Sequence, residues 1–460
     1  MLKKTYDLTQ GPILNRLLLV AVPIMGTQVM QMAYNLTDMF WLGRLGGDAV
    51  AASGAAGMYQ WLSIAFMMLG RMGAEIGVSQ SLGANNRGAA KSFSQTSTLV
   101  NLISGLLFSG SMVLFSAFFI GFFNIQEAHV ANDAARYLSI ASLSCAPFFI
   151  ASAITGTYTG SGNSRRPFIL HAIGLGLNML LDPILIFVFG LGITGAAIAT
   201  VIAQCVVCVL FVLSIHFHKA RPFEHYTLFA KPDLARIKQV LKWSAPISLE
   251  SFLFTMLTMI ISRFIAVFGV NALAVSRIGS QIESLSWLIG GGFASAVTAF
   301  TGQNFGAVKW ARIRRCFRMS AGVMALWGLF VSLLMFILGR NLFSIFLSDP
   351  EVLTIGAEYM RILAFCQIPM CIEGAAASVF RGIGETSKPS AVSITCNAVR
   401  VPLAYFLSTT SLGLNGIWLG ATLGACLRGI WMLIWLLVRK RKLPVEDGAA
   451  VRAEAIQAYN

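Results

Sequence analysis

Long apolar blocks alternate with short polar stretches along the whole chain, and the blocks exceed the length of an ordinary core helix. A helix that crosses a bilayer needs about 20 predominantly apolar residues. Twelve stretches qualify, at about 13–38, 49–78, 93–119, 137–159, 167–189, 194–216, 240–267, 273–302, 318–339, 356–379, 390–410 and 415–437. The expected fold class is an all-α integral membrane protein with twelve transmembrane helices.

The pattern repeats. Ala-Pro-Ile at 245–247 matches Val-Pro-Ile at 22–24, an offset of 246 minus 23, or 223. The same offset pairs Ala49 with Ala272, Leu62 with Leu285, Gln80 with Gln303 and Gly83 with Gly306, without a gap. Further on, an offset of 222 pairs Tyr137 with Tyr359, Pro147 with Pro369, Gly160 with Gly382 and Pro167 with Pro389. The chain therefore reads as a tandem duplication of a six-span unit. Six is even, so both copies enter the membrane from the same side and form parallel repeats, the plan of rocking secondary transporters. The expected organisation is a six-helix bundle over 1–216, a cytoplasmic linker over 217–239, a second bundle over 240–438 and a basic cytoplasmic tail over 439–460.

Charge orients the spans. One alternating set of connections carries Lys3, Lys4, Arg87, Lys91, Arg165, Arg166, Lys219, Arg221, Lys231, Arg236, Lys238, Lys309, Arg312, Arg314, Arg315, Arg381, Lys388 and the basic run 439–442. The other holds little basic charge beyond Arg44, Arg136 and Arg340, together with Glu127, Asp133, Asp349 and Glu351. By the positive-inside rule both termini are cytoplasmic, in the cell membrane. Only 12% of residues are charged and mean hydropathy is +0.73, against about 25% charged in soluble chains. The net charge of +15 is thus explained by membrane topology, and nucleic acid is not an expected partner. No cleaved signal peptide is expected at the start. The eight cysteines mostly fall in apolar segments and read as small buried hydrophobes.

Ionisable groups inside spans are costly, by about 2.5–3.5 kcal/mol each on insertion scales, and face a partner or a wet cavity. In the first span Thr27, Gln31, Asn35 and Asp38 share one helical face. In the fifth, His171, Asn178 and Asp182 share a face, and Pro183 follows at once. Proline should cost Met179 its helical partner and bend the helix near Asp182, placing a free carbonyl beside a carboxylate. The competing reading of Asp38 and Asp182 is ion pairing, but neither span holds a nearby basic residue. The second half does not repeat these acids: Asp38 becomes Ile261, Asp182 becomes Ala404 and Thr27 becomes Glu250. It offers Glu250, Glu283 and Glu373 as candidate coupling or substrate residues, beside Arg263, Arg277, Arg400 and Arg428, which could equally pair with them. Arg71 and Glu75, four apart, read as a structural pair.

Other motifs carry less. Gly190-Leu-Gly192-Ile-Thr-Gly195 fits a dinucleotide pattern but follows a membrane helix instead of a strand, and reads as a turn. Cys205 and Cys208 lie in an apolar helix, which argues against redox or zinc chemistry. No nucleophile and base stand together, so an enzyme is not expected. Nothing resembles a repeated selectivity filter.

Tyr34-Asn-Leu-Thr-Asp38 running into Gly43-Arg-Leu-Gly46, Arg277-Ile-Gly-Ser-Gln-Ile-Glu-Ser-Leu285 running on to Gly302-Gln-Asn-Phe-Gly306, and Arg381-Gly-Ile-Gly384 resemble the multidrug and toxic compound extrusion family. The resemblance implies a V-shaped pair of bundles exporting organic, often cationic and aromatic, compounds in exchange for inward Na+ or H+. In one branch of that family the coupling ion is held by an acid on helix 1, an Asn and Asp four apart on helix 5, and a threonine on helix 6. These fall on Asp38, Asn178, Asp182 and Thr200. Another branch uses acids on helix 7 and beside the helix 10 proline. Glu250 fits the first, but Met370 follows Pro369 and the nearest acid is Glu373.

The expected function is thus a cation-coupled antiporter working by alternating access, with Asp38, Asn178, Asp182 and Thr200 holding the ion. Gln31, Tyr34, Asn35, Glu250, Glu283 and Glu373 are candidate substrate or second-half coupling residues. The alternative is a lipid or glycolipid flippase. Expected partners are small drug-like compounds, H+ or Na+ and membrane lipids, with no other cofactor, and the monomer is the expected functional form.

Overall fold

The computed structural model describes residues 7–125, 127–218, 221–224, 226–228, 233–346 and 349–442, and among these every regular element is helical. The expectations resting on Lys3, Lys4, Lys219, Lys231 and the tail 443–460 lie outside the described residues. Among the described residues eleven helices are long and apolar enough to cross a membrane, or twelve spans when one bent pair counts as a single span. The protein is a multi-pass membrane protein.

The chain divides into two compact units, one of Leu19–Ser248 with the first eight residues, the other of Leu249–Asn460 with Thr9–Leu18. In chain order the first half contains α1 (Ile13–Leu45), α2 (Gly47–Gly83), α3 (Arg87–Leu114), α4 (Ser116–Gly121), α5 (Ala128–Ser142), α6 (Cys145–Gly160), α7 (Arg165–Pro183), a π-helical turn (Ile184–Val188) and α8 (Gly192–Phe217). The second half contains α9 (Leu234–Ala266), α10 (Val270–Gly306), α11 (Trp310–Ser344), α12 (Pro350–Gly382), α13 (Ser387–Ser408) and α14 (Gly413–Lys442).

Helix bounds repeat as the sequence does. Both bounds of α2 and α10, and the starts of α3 and α11, differ by 223 (270 minus 47, 306 minus 83, 310 minus 87). The ends of α6 and α12 and the starts of α7 and α13 differ by 222 (382 minus 160, 387 minus 165). Between α7 and α8 the offset falls to 221 (413 minus 192). One residue is therefore extra in the first half there, and the π-helical turn, which accommodates an additional residue within a helix, absorbs it. Gly46 and Gly269, again 223 apart, open α2 and α10 at φ of 119° and 100°, a region that glycine enters without steric cost.

The fourth span is not straight. It begins at Ala128 and bends by 41° between α5 and α6. Pro147 has no N–H to offer the carbonyl of Leu143, and the chain tightens there, with Leu143 and Ser144 donating to Ile140 and Ala141.

In the first unit, α2, α3, α5, α6 and α8 bury a core around Met67, Phe108, Leu138 and Phe149. A second cluster joins Tyr158, Leu170 and Phe211 to Phe223 and Tyr226 of the polar segment after α8. Two residues of that segment bond to α3: Tyr226 Oη lies 3.0 Å from Ser94 Oγ, and Gln95 donates to Thr227. In the second unit Phe343, Tyr359, Met360 and Trp418 are central, and Lys309 Nζ donates to Thr9 O at 2.9 Å. Apolar side chains cover the outside too: Leu107, Leu114, Phe118 and Phe122 are each 70% or more exposed, as expected where lipid is the solvent. Cys145, Cys316, Cys366, Cys371 and Cys396 are buried, whereas Cys205 is exposed, so the reading of the cysteines as buried hydrophobes does not extend to it. Cys205 stands on the apolar surface of α8, where lipid can replace protein as its apolar surroundings.

Candidate cation site

The site in the first unit is built around the end of α7. Pro183 cannot donate to Met179, and the chain continues as the π-helical turn, with Phe189 N donating to Ile184 O at 3.0 Å. The bend expected near Asp182 is thus a change of helix type. Gly195 on α8 lets the turn approach, since a Cβ there would stand 2.7 Å from the carbonyl carbon of Leu185. Just before the turn, Asn178 Nδ2 donates to Asp182 Oδ1 at 2.8 Å. Both side chains are buried, and Asp182 Oδ2 has no hydrogen-bond partner in the protein.

From α1, Tyr34 Oη lies 3.3 Å from Thr200 Oγ1 on α8. Asp38, one turn further along α1, has its Oδ1 buried without a partner. The charge of Asp38 reaches Asp182, and both charges reach the hydroxyls of Tyr34 and Tyr137. Tyr137, on α5 and 8% exposed, was not among the residues expected here. Its only signal in the sequence is the repeat, which places Tyr359 at the same position of the second half.

Not every polar residue of these faces joins the cluster. Gln31 Nε2 donates to Asn35 Oδ1 at 3.3 Å, on an exposed stretch of α1. Thr27 donates to the carbonyl of Pro23, and His171 turns to Thr155 on α6 at 3.2 Å. The cluster is therefore two carboxylates, one amide and three hydroxyls. Its two orphaned carboxylate oxygens are hard ligands that suit a proton or a small cation.

The second-unit acids are differently placed. Glu250 lies 3.5 Å from Arg381 and accepts from Ser390 at 2.8 Å. Glu373 lies 3.5 Å from Arg428. Glu283 accepts from Gln367 at 3.1 Å and from Trp287 Nε1 at 3.2 Å. Among the described residues no group of three or more His, Cys, Asp or Glu side chains could hold a metal ion.

Comparison with known proteins agrees with this architecture. The chain is 26% identical over 430 residues to the probable multidrug resistance protein NorM of Thermotoga maritima, covering 92% of each chain. It is 27% identical over 416 residues to the probable multidrug resistance protein YoeA of Bacillus subtilis, covering 87% of this chain and 89% of that one. Among solved structures, a MOP superfamily transporter from Pyrococcus furiosus superposes with a TM-score of 0.90 at 22% identity, over 96% of this chain and 99% of that one. A MATE protein solved in complex with MaD3S gives 0.89 at the same identity and coverage. The MatE family profile matches residues 23–184 and 246–406, one segment in each repeat, and the chain belongs to the multidrug and toxic compound extrusion (MATE) family.

Proposed function

We propose that this protein is a cation-coupled antiporter of the cell membrane that exports organic, often cationic and aromatic, compounds by alternating access. The observation that carries the reading is the first-unit cluster, in which Asp38 and Asp182 share one low-dielectric region and each keeps a carboxylate oxygen without a protein donor. Two like charges so placed strongly favour a bound cation, because their repulsion is little screened. Asn178 holds Asp182 through its amide nitrogen, while Tyr34 and Thr200, which bond each other, and Tyr137 add neutral oxygens to the same cluster. The names of the relatives support multidrug export as the physiological direction.

In this mechanism a proton or Na+ entering from outside neutralises the pair. With the charge cancelled, the outer ends of α1 and α7 repack, and the state that holds cargo loses its advantage. Cargo arriving from the cytoplasm favours the other state. The membrane potential supplies about 2.3 kcal/mol per charge per 100 mV to drive the cycle. Both termini would lie in the cytoplasm, and one chain suffices, since it holds both repeats.

The test is ethidium movement in proteoliposomes under an imposed pH gradient, an imposed Na+ gradient, or neither. Movement driven by one gradient supports antiport and names the ion. Movement indifferent to both, from folded protein, overturns it.

A further inference from the structure

The repeat offset places Arg400 of α13 where the first unit has Asn178, and Ala404 where it has Asp182 (400 minus 178 and 404 minus 182, each 222). On α9 the offset of 223 places Ile261 at the position of Asp38, Thr258 at that of Asn35 and Phe254 at that of Gln31. The scaffold that gathers two acids around an amide in the first unit therefore gathers an arginine, a hydroxyl and an aromatic ring in the second. The sign of the charge is reversed.

Arg400 is not explained as a structural ion pair. Two other arginines of this unit, Arg381 and Arg428, each approach a carboxylate, at 3.5 Å from Glu250 and Glu373. Arg400 makes no ion pair among the described residues. Its Nη2 donates to Thr258 Oγ1 at 3.1 Å, its guanidinium lies 5.4 Å from the centre of the Phe254 ring, and its buried Nε finds no acceptor. The acid whose charge reaches it, Glu283, already accepts from Gln367 and Trp287. A guanidinium inside a membrane span is costly unless it serves a pathway or a partner. Its rigid fork of donors matches a carboxylate.

The surroundings indicate what else the ligand carries. The Phe254 and Trp287 rings are 5.8 Å apart, Trp287 is 41% exposed, and Thr258 is exposed. The indole edge is fixed by its bond to Glu283. An aromatic body lying against this pair would bring a carboxylate substituent to the guanidinium.

We infer that Arg400, with Phe254 and Trp287, forms a binding site in the second unit for the carboxylate of an aromatic organic anion. This assignment goes beyond the export reading by adding an anionic class of cargo and rests on it for physiological use, whereas binding alone can be measured without transport.

The test is equilibrium dialysis of purified full-length protein in detergent with 2-naphthoate and 2-naphthamide, which share a ring system and differ in charge. Wild type is expected to bind the carboxylate about tenfold more tightly than the amide, the scale of charge-assisted hydrogen bonds. Arg400→Gln should remove that preference while leaving amide affinity within about twofold. Arg400→Lys, which keeps the charge without the fork, should keep part of it, and it covers the case in which the glutamine variant fails to fold. Equal binding of the two probes by wild type, or an undiminished preference in both Arg400 variants, overturns the assignment. Loss of ethidium export with the naphthoate preference intact would refute antiport and leave this site standing; the converse would refute this site alone.

Discussion

At equivalent places in the two repeats the first unit holds Asp38, Asn178 and Asp182, and the second holds Ile261, Arg400 and Ala404. The helices that carry them begin and end at matching offsets, so the backbone is shared and the chemistry is not. The first unit leaves acid oxygens without donors. The second meets its acids with arginines or with Gln367 and Trp287. Duplication supplied one scaffold, and its two copies carry opposite charge: carboxylate oxygens without donors in one, acid–base pairing and a guanidinium without an ion pair among the described residues in the other.

The sharpest break of this comparison is a change of charge at an unpaired acid. Asp182→Asn should lower gradient-driven ethidium export by about tenfold or more, because the ion loses a ligand that no other residue replaces. Melting temperature should change little, since Asp182 Oδ2 has no protein partner to lose. The same isosteric change at a paired acid should do the reverse. Glu373→Gln strands Arg428 in a nearly buried position, and removing one partner of a buried pair costs about 3–5 kcal/mol. Chemical unfolding of the variant should show that loss, and Glu373→Gln with Arg428→Met should recover much of it.

Packing gives a smaller effect. Gly195→Ala would set a methyl 2.7 Å from the Leu185 backbone. Displacing the π-helical turn should cost about 1–3 kcal/mol and weaken export by moving Asp182. The smallest effect lies at a turn the repeats share. Asn85 and Val308, again 223 apart, both adopt φ of +58°. Asparagine tolerates that region and a β-branched side chain does not. Val308→Asn should therefore stabilise the protein by about 1 kcal/mol, read as a raised melting temperature, whereas Asn85→Val should lower it.

Much of the fold was legible because a bilayer imposes a length on every apolar block and a charge bias on every connection. The twelve expected stretches match eleven helices and one bent pair for that reason. Proline's effect was legible in kind but not in form. Pro183 announced a break, yet a one-residue excess that shows only as a shift of offset from 222 to 221 decides that the break is a π-helical turn. Of the candidate site, Asn178 and Asp182 could be paired from their spacing of four. Thr200 came from family resemblance, and its contact with Tyr34 joins helices 166 residues apart, a link no local pattern encodes. Tyr137 went unrecognised because a single aromatic residue in an apolar block looks like core. Arg400 could be seen as charged and intramembrane, but only the structure shows that Arg381 and Arg428 approach acids while Arg400 makes no ion pair among the described residues.

The most direct test of the division of labour is gradient-driven ethidium export by Asp38→Asn and Glu250→Gln, side by side in proteoliposomes at matched protein content and melting temperature. Both changes remove one intramembrane carboxylate, one from each repeat. The account predicts that Asp38→Asn exports no faster under a gradient than without one, while Glu250→Gln keeps its gradient dependence. Gradient-dependent export surviving Asp38→Asn and vanishing with Glu250→Gln would contradict it, and would place coupling in the second unit.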